Sequence, residues 1–359
     1  MNETLEATQF PETGKIQNSF FKEKVFPFCG AARPEVIVGP EYGVDVSLVN
    51  LPNGLTMAMT SDPLSLIPTL GLRESAWLSV QLMANDMATT GFTPQYAQFT
   101  LNLPTTLGVH DFEQYWQYIH EFCDRLGIAI TGGHTGRFEG IQSTIAGGGT
   151  MITIASGEQM VTSKGARPGD ILIMTKECAL IATSILALSF PETVTKSCGT
   201  AVQQQAASLF YETSAVEAGL IAGEIHRHTA AVTAMHDVTE GGVLGAIYEL
   251  AHASGCGVEV DNNNLPIGDA QQKIGALFGI DPRFCVGAGS MIITIKPDIL
   301  QLILKQFRQK NIQATVIGRI TEPSQGLILT EGSSRHTLQH PGADPYWSAF
   351  FQALQQNWK

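Results

Sequence analysis

MHDVTEGGVLGAIYELAHASGCGVEVD, residues 235–261, is the stretch whose reading decides the fold. The apolar run 231–235 predicts a strand, and residues 257–261 predict another. Between them, His236-Asp237-Val238-Thr239-Glu240-Gly241-Gly242 leads into a helix predicted over 240–253. Strand, loop, helix and strand in this order is an α/β unit. Thr239 is placed to cap the helix, and the free N–H groups of its first turn, Gly241 included, form a ready anion site. Asp237 and Glu240, about one turn apart, can reach a metal from the same mouth. Capping accounts for Thr239 and Glu240, but it leaves His236-Asp237 and the double glycine unexplained.

The same alternation continues on both sides. Helices are predicted over 177–189, 202–226, 268–278 and 298–310, and strands over 171–174, 289–295 and 314–318. Upstream, strands are predicted over 36–38, 44–49, 55–60, 97–101, 128–131 and 144–155, with helices over 74–90 and 111–126. A chain of 359 residues exceeds the usual size of one domain. The turn Arg167-Pro168-Gly169-Asp170 suggests a boundary just before it. The expected organisation is an arm over 1–34, domains over 35–159 and 160–345, and a tail over 346–359. Phe20, Phe21, Val25, Phe26 and Phe28 give the arm an apolar patch that should dock.

A formal charge of −12 opposes binding to nucleic acid or to an anionic membrane. It does not oppose a small polyphosphate, because clustered carboxylates can hold Mg²⁺ and the metal supplies the missing positive charge. The six cysteines are scattered with no Cys-x-x-Cys pair, which favours buried reduced thiols over a zinc site. The first twenty residues carry no apolar core of a secretory signal, and no apolar stretch reaches bilayer-spanning length. A soluble cytoplasmic protein is expected.

Four further stretches point to chemistry. Asp45 interrupts the β-branched run Val44–Val49, and Asp62 follows the strand 56–60; either alone could be a turn carboxylate. Asp86, after Asn85, stands in the last turn of an apolar helix, where its charge opposes the dipole; water at an exposed helix end or a nearby metal would each compensate. Thr131-Gly132-Gly133-His134-Thr135-Gly136-Arg137 follows a strand, and as a loop it could cradle phosphate or be an ordinary turn. Gly147-Gly148-Gly149 weakens a strand unless a ligand or another backbone comes close.

Taken together and in order, these stretches resemble the aminoimidazole ribonucleotide (AIR) synthetase, or PurM-like, superfamily, and most of all its HypE-like, AIR synthase-related members. Gly43-Val44-Asp45-Val46-Ser47 is similar to that family's Gly-Asp-Asp-Ala-Ala metal motif and Thr60-Ser61-Asp62 to its Thr-Thr-Asp strand end. Asn85-Asp86-Met87-Ala88 is similar to Asn-Asp-Leu-Ala, and Gly132-Gly133-His134-Thr135 to the Gly-Gly-Asp/Glu-Thr loop. The resemblance implies an α/β fold of two domains, the N-terminal mixed sheet pairing with a twin into a dimeric β-barrel and the C-terminal domain forming an α/β sandwich. It also implies ATP with Mg²⁺ or Mn²⁺ in the cleft between the domains. Asp45, Asp62, Asp86, Asp237 and Glu240 would then be metal ligands, and Lys15, Asp45, Gly132, Gly133, Thr135, Arg137, Gly148, Thr239 and Gly241 would contact the nucleotide. His134, His236 and Asp237 would be the catalytic candidates, although either histidine could equally be a satisfied structural one.

Val44 and His134 depart from the family's acidic pattern, and Mg²⁺ prefers oxygen to nitrogen. The chain ends Asn357-Trp358-Lys359, without the terminal cysteine that HypE uses as carbamoyl acceptor, so cyanide-ligand synthesis is not expected. The implied activity is ATP-dependent phosphoryl transfer to a small-molecule or protein acceptor. The alternative is a nucleotide-binding maturation factor or regulator with little turnover. A dinucleotide oxidoreductase is disfavoured, because no Gly-x-Gly-x-x-Gly follows the first strand.

Overall fold

The computed structural model describes residues 14–16, 18–141 and 144–359; the first thirteen residues of the expected arm lie outside the described residues. The N-terminal half contains β1 (Val36–Val38), β2 (Ser47–Asn50), β3 (Leu55–Ser65), α1 (Leu72–Ala88), β4 (Tyr96–Pro104), α2 (Val109–Arg125), β5 (Ala129–Phe138) and β6 (Ile145–Ser156). Its six-stranded sheet has the order β1-β2-β3-β6-β4-β5, with β4 and β5 parallel and the other neighbours antiparallel. Strand periodicity sends Ala97, Phe99, Leu101 and Leu103 of β4 to one face. There they join Met83 and Met87 of α1 and Tyr115 and Ile119 of α2 in one core.

Among the described residues, no helix lies over the opposite face of this sheet. Met59, Ile152 and Tyr96 stand in one cross-strand row, and Val49, Met57 and Ile154 in the next. Both β1 and β5 are edges, so one chain forms an open sheet and not a closed barrel.

Four sequence expectations change here. Gly132 to Arg137 form part of strand β5 and not a loop. The reason is close packing on β4: a Cβ at Gly133 would lie 1.9 Å from the Phe99 carbonyl oxygen. The same cause explains Gly147, whose Cβ would meet the Thr100 carbonyl at 1.9 Å, and Gly149, whose Cβ would strike the Met83 methyl at 2.6 Å. Asp45 sits in the connection before β2, whereas Asp62 lies inside β3. The apolar patch of the arm docks only in part: Phe20 is buried, but Phe26 and Phe28 are 55% and 82% exposed.

The C-terminal half contains β7 (Ile171–Thr175), α3 (Leu180–Ser189), α4 (Pro191–Cys198), α5 (Thr200–Ser208), α6 (Val216–Thr229), β8 (Val232–Asp237), α7 (Gly242–Ser254) and β9 (Gly257–Asp261). It continues with α8 (Asp269–Phe278), β10 (Met291–Ile295), α9 (Leu300–Gln309), β11 (Ala314–Thr321), β12 (Leu327–Glu331), β13 (Ser334–Thr337) and α10 (Pro345–Gln355). The seven strands are ordered β13-β12-β9-β11-β7-β10-β8.

The single helix expected over 202–226 is two helices, α5 and α6, because the chain turns at Leu209–Glu212 to bury Phe210. Lys176 Nζ donates to the Glu212 and Ser214 carbonyls, satisfying backbone groups that the interruption leaves open. The expected tail is largely helix α10, capped by Asp344, which accepts from the Tyr346 N–H, and opened by Pro345. Tyr346 and Phe350 of α10 enter a core with Phe190.

The two sheets are joined through α1 and α6. Gly91, just past α1, and Gly223 of α6 touch backbone to backbone; a Cβ on Gly91 would lie 2.7 Å from the Gly223 Cα. This contact brings the C-terminal end of α1, with Asp86, towards the C-terminal half. No described helix is long and apolar enough to cross a membrane.

Candidate active site

Four aspartates from separate segments meet between the two sheets. Asp45 comes from the β1–β2 connection, Asp62 from β3, Asp86 from the last turn of α1 and Asp237 from the end of β8. Burial pushes the pKa of each upward, and mutual repulsion adds to it: the charges of Asp45, Asp62 and Asp86 all act on Asp237, and those of Asp62 and Asp45 on Asp86. For Asp62 the result is about 7, with burial as the first cause and Glu240 the second. Asp237 is fully buried, and neither of its carboxylate oxygens has a hydrogen-bond partner.

Asp45, His236 and Asp237 bring ligand-type atoms within 4.8 Å of one another. Asp45 Oδ2 accepts from Ser163 Oγ at 3.1 Å, and its Oδ1 lies 3.4 Å from His236 Nδ1. His236 Nδ1 also lies 2.7 Å from its neighbour's carbonyl, Asp237 O. On the other side of the ring, Nε2 faces Glu249 Oε2 at 3.3 Å, a charge contact without hydrogen-bond alignment. Burial would lower the His236 pKa, but the two flanking carboxylates outweigh it and hold it up at about 9. The two carboxylates therefore favour the imidazolium form of His236.

A cavity of about 1110 Å³ opens beside this cluster. Its lining combines the polar residues Asp45, Asp62, Asp86, Thr239, Glu240 and Lys15 with the aromatic Phe21, Trp347 and Phe351. Lys15 reaches in from the arm: its Nζ donates to Glu249 at 3.0 Å and its backbone N–H to Glu240 Oε2 at 2.7 Å. A smaller groove of about 440 Å³ on the uncovered sheet face is lined by Ser61, Asp62, Gln98, Thr100 and Gly148 among others.

Several expected site residues lie elsewhere. The cross-strand row Pro63, Gly148, Thr100, His134 sets His134 three strands from β3, or ~14 Å at ~4.8 Å per strand. His134, Gly132, Gly133, Thr135 and Arg137 line neither cavity. Arg137 instead donates to the Thr105 carbonyl.

The helix after Asp237 begins at Gly242 with Gly241 at the cap position, so Thr239 does not cap it. His236 and Asp237 belong to strand β8 and not to the loop. The Gly241 N–H is occupied by Asp344 Oδ2 at 2.9 Å. An internal carboxylate thus fills part of the anion site that the sequence suggested for a phosphate.

Sequence reasoning missed Glu249, Ser163, His340 and Tyr42. Glu249 is 1% exposed and is faced by Lys15, His236 and His340, the last at 3.7 Å. Tyr42 Oη lies 2.9 Å from His340 Nε2. The available signal was a lone glutamate on the otherwise apolar face Val243-Leu244-Ala246-Ile247-Leu250.

With this geometry in hand, comparison with known proteins is informative. The model of the AIR synthase related protein, N-terminal domain, matches residues 43–155, and that of its C-terminal domain matches residues 167–329. A thiamine-monophosphate kinase of Halobacterium salinarum is 28% identical over 262 residues, covering 71% of this chain and 79% of its own. The carbamoyl dehydratase HypE of Escherichia coli is 25% identical over 270 residues, covering 73% and 75%. A crystal structure of the hydrogenase maturation protein HypE in complex with ATP has a TM-score of 0.63 at 17% identity, covering 89% of this chain and 90% of that one, which shows a shared fold.

Proposed function

Because the chain belongs to the AIR synthase related family, among ATP-using relatives that include kinases and HypE, we propose that it binds ATP with a divalent metal and activates a small acceptor by phosphoryl transfer. The observation that carries this reading is the convergence of Asp45, Asp62 and Asp86 on the lining of a cavity large enough for a nucleotide, with Asp237 buried behind them within range of all three charges. Buried carboxylates repel one another, so four of them gathered with only His236 and Lys15 as nearby cations store unfavourable energy. Such an arrangement is understandable where positive charge is to be bound.

The donor set fits Mg²⁺ or Mn²⁺. Both oxygens of Asp237 are buried without partners, and oxygen donors suit hard divalent cations. Asp45, Asp62, Asp86 and Asp237 would hold the metal, with Glu240 at the cavity mouth. A bound divalent cation would neutralise the phosphates and the charge developing during transfer. Thr60 Oγ1, bonded to Asp86 Oδ2 at 2.6 Å, and Ser163, bonded to Asp45, orient two of the carboxylates. Lys15 supplies a cation on the arm side. His236, already doubly ion-paired, serves better as a fixed positive charge than as a proton shuttle.

A second reading, nucleotide binding with little turnover, is favoured by one observation: His236 already compensates Asp45, so one carboxylate of the set is partly satisfied without metal. A second copy of the chain completing the uncovered N-terminal sheet face is part of the proposal, supported by the apolar rows there and by Tyr96 at 41% exposure. His134, on β5, would then act at that interface. The protein is expected to work in the cytoplasm, without nucleic acid or membrane partners.

The test is thermal shift and ADP release with ATP plus Mg²⁺ or Mn²⁺ over a panel of small acceptors. Metal-dependent stabilisation with ADP release supports transfer, and stabilisation without ADP or AMP supports the second reading. If ATP with metal produces no shift at saturating concentration, both readings fall.

A further inference from the structure

Glu249 is a buried carboxylate that no part of the proposed metal chemistry uses, yet four segments close on it. Lys15 Nζ from the arm bonds both of its oxygens, at 3.0 and 3.3 Å. His236 Nε2 from β8 stands at 3.3 Å, and His340 Nε2 from the segment before α10 at 3.7 Å. The turn that carries Asp45 rests on its backbone: Gly43 has φ +76°, and a Cβ there would come within 2.8 Å of the Glu249 Cβ.

We infer that Glu249 is a positioning residue for nucleotide binding: it seats the N-terminal arm through Lys15 and fixes His236 against Asp45, so that the acid end of the cavity is assembled before ligand arrives. The physical reason is an asymmetry of burial. Glu249 is 1% exposed while the Lys15 side chain is 45% exposed, so the carboxylate cannot be left to water and demands its partners, whereas the lysine could leave at little cost. The pair therefore acts as an anchor set in α7 that draws a half-exposed cation inward. Lys15 is then held where the charges of Asp45, Asp62, Asp86 and Asp237 all favour it. The backbone N–H of the same residue holds Glu240 Oε2 at 2.7 Å. One arm residue thus bridges the metal-side carboxylate and the anchor.

The nucleotide part of this inference rests on the ATP reading above, and the arm part does not. Two measurements on the full-length protein separate them. Trypsin cleavage after Lys22 and Lys24, followed by mass spectrometry without nucleotide, should accelerate several-fold in Glu249→Gln and in Lys15→Ala. Calorimetric titration of Mg·ATP should show the dissociation constant rising about tenfold in Glu249→Gln, as for one lost charge-assisted contact. In a Lys15→Ala background the same substitution should add less than about twofold, because the two residues act through one contact.

Unchanged arm cleavage in both variants, or effects of the two substitutions that multiply, would overturn the assignment. Lys15 is half-exposed, so Lys15→Ala keeps the arm measurement decisive even if Glu249→Gln does not fold. If the wild-type chain binds no Mg·ATP, the functional reading fails while the cleavage rates still decide the seating role.

Discussion

Thr60 Oγ1 donates a 2.6 Å hydrogen bond to Asp86 Oδ2, tying β3 to the last turn of α1. The bond survives the change Asp86→Asn, since the amide keeps an acceptor oxygen, but the charge is lost. Burial, then Asp62 and Asp45, push the Asp86 pKa well upward, so its ionised form is a liability in the metal-free protein. Asp86→Asn should raise the metal-free melting temperature by ~2–4 °C, the equivalent of ~1 kcal/mol. The same variant should lose the extra stabilisation by Mg·ATP. A variant that keeps the wild-type Mg·ATP shift in differential scanning fluorimetry would remove Asp86 from the proposed site.

The aspartate cluster also sets a pH dependence. Asp62 is raised to about 7, and Asp45, Asp86 and Asp237 are raised too. Raised folded pKa values mean that the native state binds more protons than the unfolded state, so stability is fullest at low pH and is lost as pH climbs through about 7. His236, raised to about 9, acts in the same direction at higher pH. Glu249, held well below its ordinary value by His236, His340 and Lys15 against the effect of burial, acts oppositely, but only in acid. In EDTA the melting temperature should therefore be higher near pH ~5.5 than near pH ~8, and saturating Mn²⁺ should flatten the difference. A melting temperature that climbs steadily from the acid to the alkaline end in EDTA contradicts a repulsive cluster.

The uncovered sheet face yields a prediction about assembly. Ile152 stands between Met59 and Tyr96 in one cross-strand row. A lysine there would set a charge in the middle of the apolar patch without touching the core on the other side. Analytical ultracentrifugation should find the wild type as a dimer and Ile152→Lys as a monomer with a melting temperature close to the monomer limit of the wild type. A wild-type chain that sediments as a monomer at micromolar concentration ends the proposal of a shared sheet.

Much of this was legible because period and punctuation carry it. The helix that stops shortly before Gly91 and the strand–helix–strand unit around residues 232–261 follow from apolar spacing and glycine stops. Asp45 and Asp86 stood out because each reads as lying where local preference disfavours a carboxylate, Asp62 because it closes a strand, and Asp237 because helix capping left it unexplained. What stayed illegible depends on neighbours distant in sequence. Gly133 read as part of a phosphate-cradling loop or an ordinary turn, but its cause is the β4 backbone; Gly147 read as answering either a ligand or another backbone, and only the structure shows that it is the β4 backbone. The Gly241 N–H read as free until Asp344, 103 residues on, took it. Glu249 read as one more residue of a helix, and its burial is visible only once Lys15, His236 and His340 close around it.

Asn85 and Asp86 are adjacent, yet the structure gives them opposite energetic roles. Asn85 is fully buried: its Nδ2 donates to the Thr213 carbonyl at 2.9 Å, and its Oδ1 accepts from the Ala215 N–H at 2.7 Å and from Gln81 at 3.0 Å. It therefore satisfies the backbone of the turn before α6 and latches the two halves of the molecule beside the cavity. Asn85→Ala would strand a buried carbonyl and a buried N–H, at ~1–3 kcal/mol each, so urea denaturation should show a loss of roughly 2–5 kcal/mol. Asn85→Asp keeps an acceptor for Ala215 but turns a donor towards Thr213 into a buried charge near the other aspartates, and it should cost at least as much as the alanine. Where Asp86→Asn trades function for stability, Asn85→Ala should lose both, because α1 is no longer held against the C-terminal half that supplies Asp237. A stability for Asn85→Ala within ~0.5 kcal/mol of wild type, the range of an ordinary surface substitution, would mean the latch is not bearing that strain.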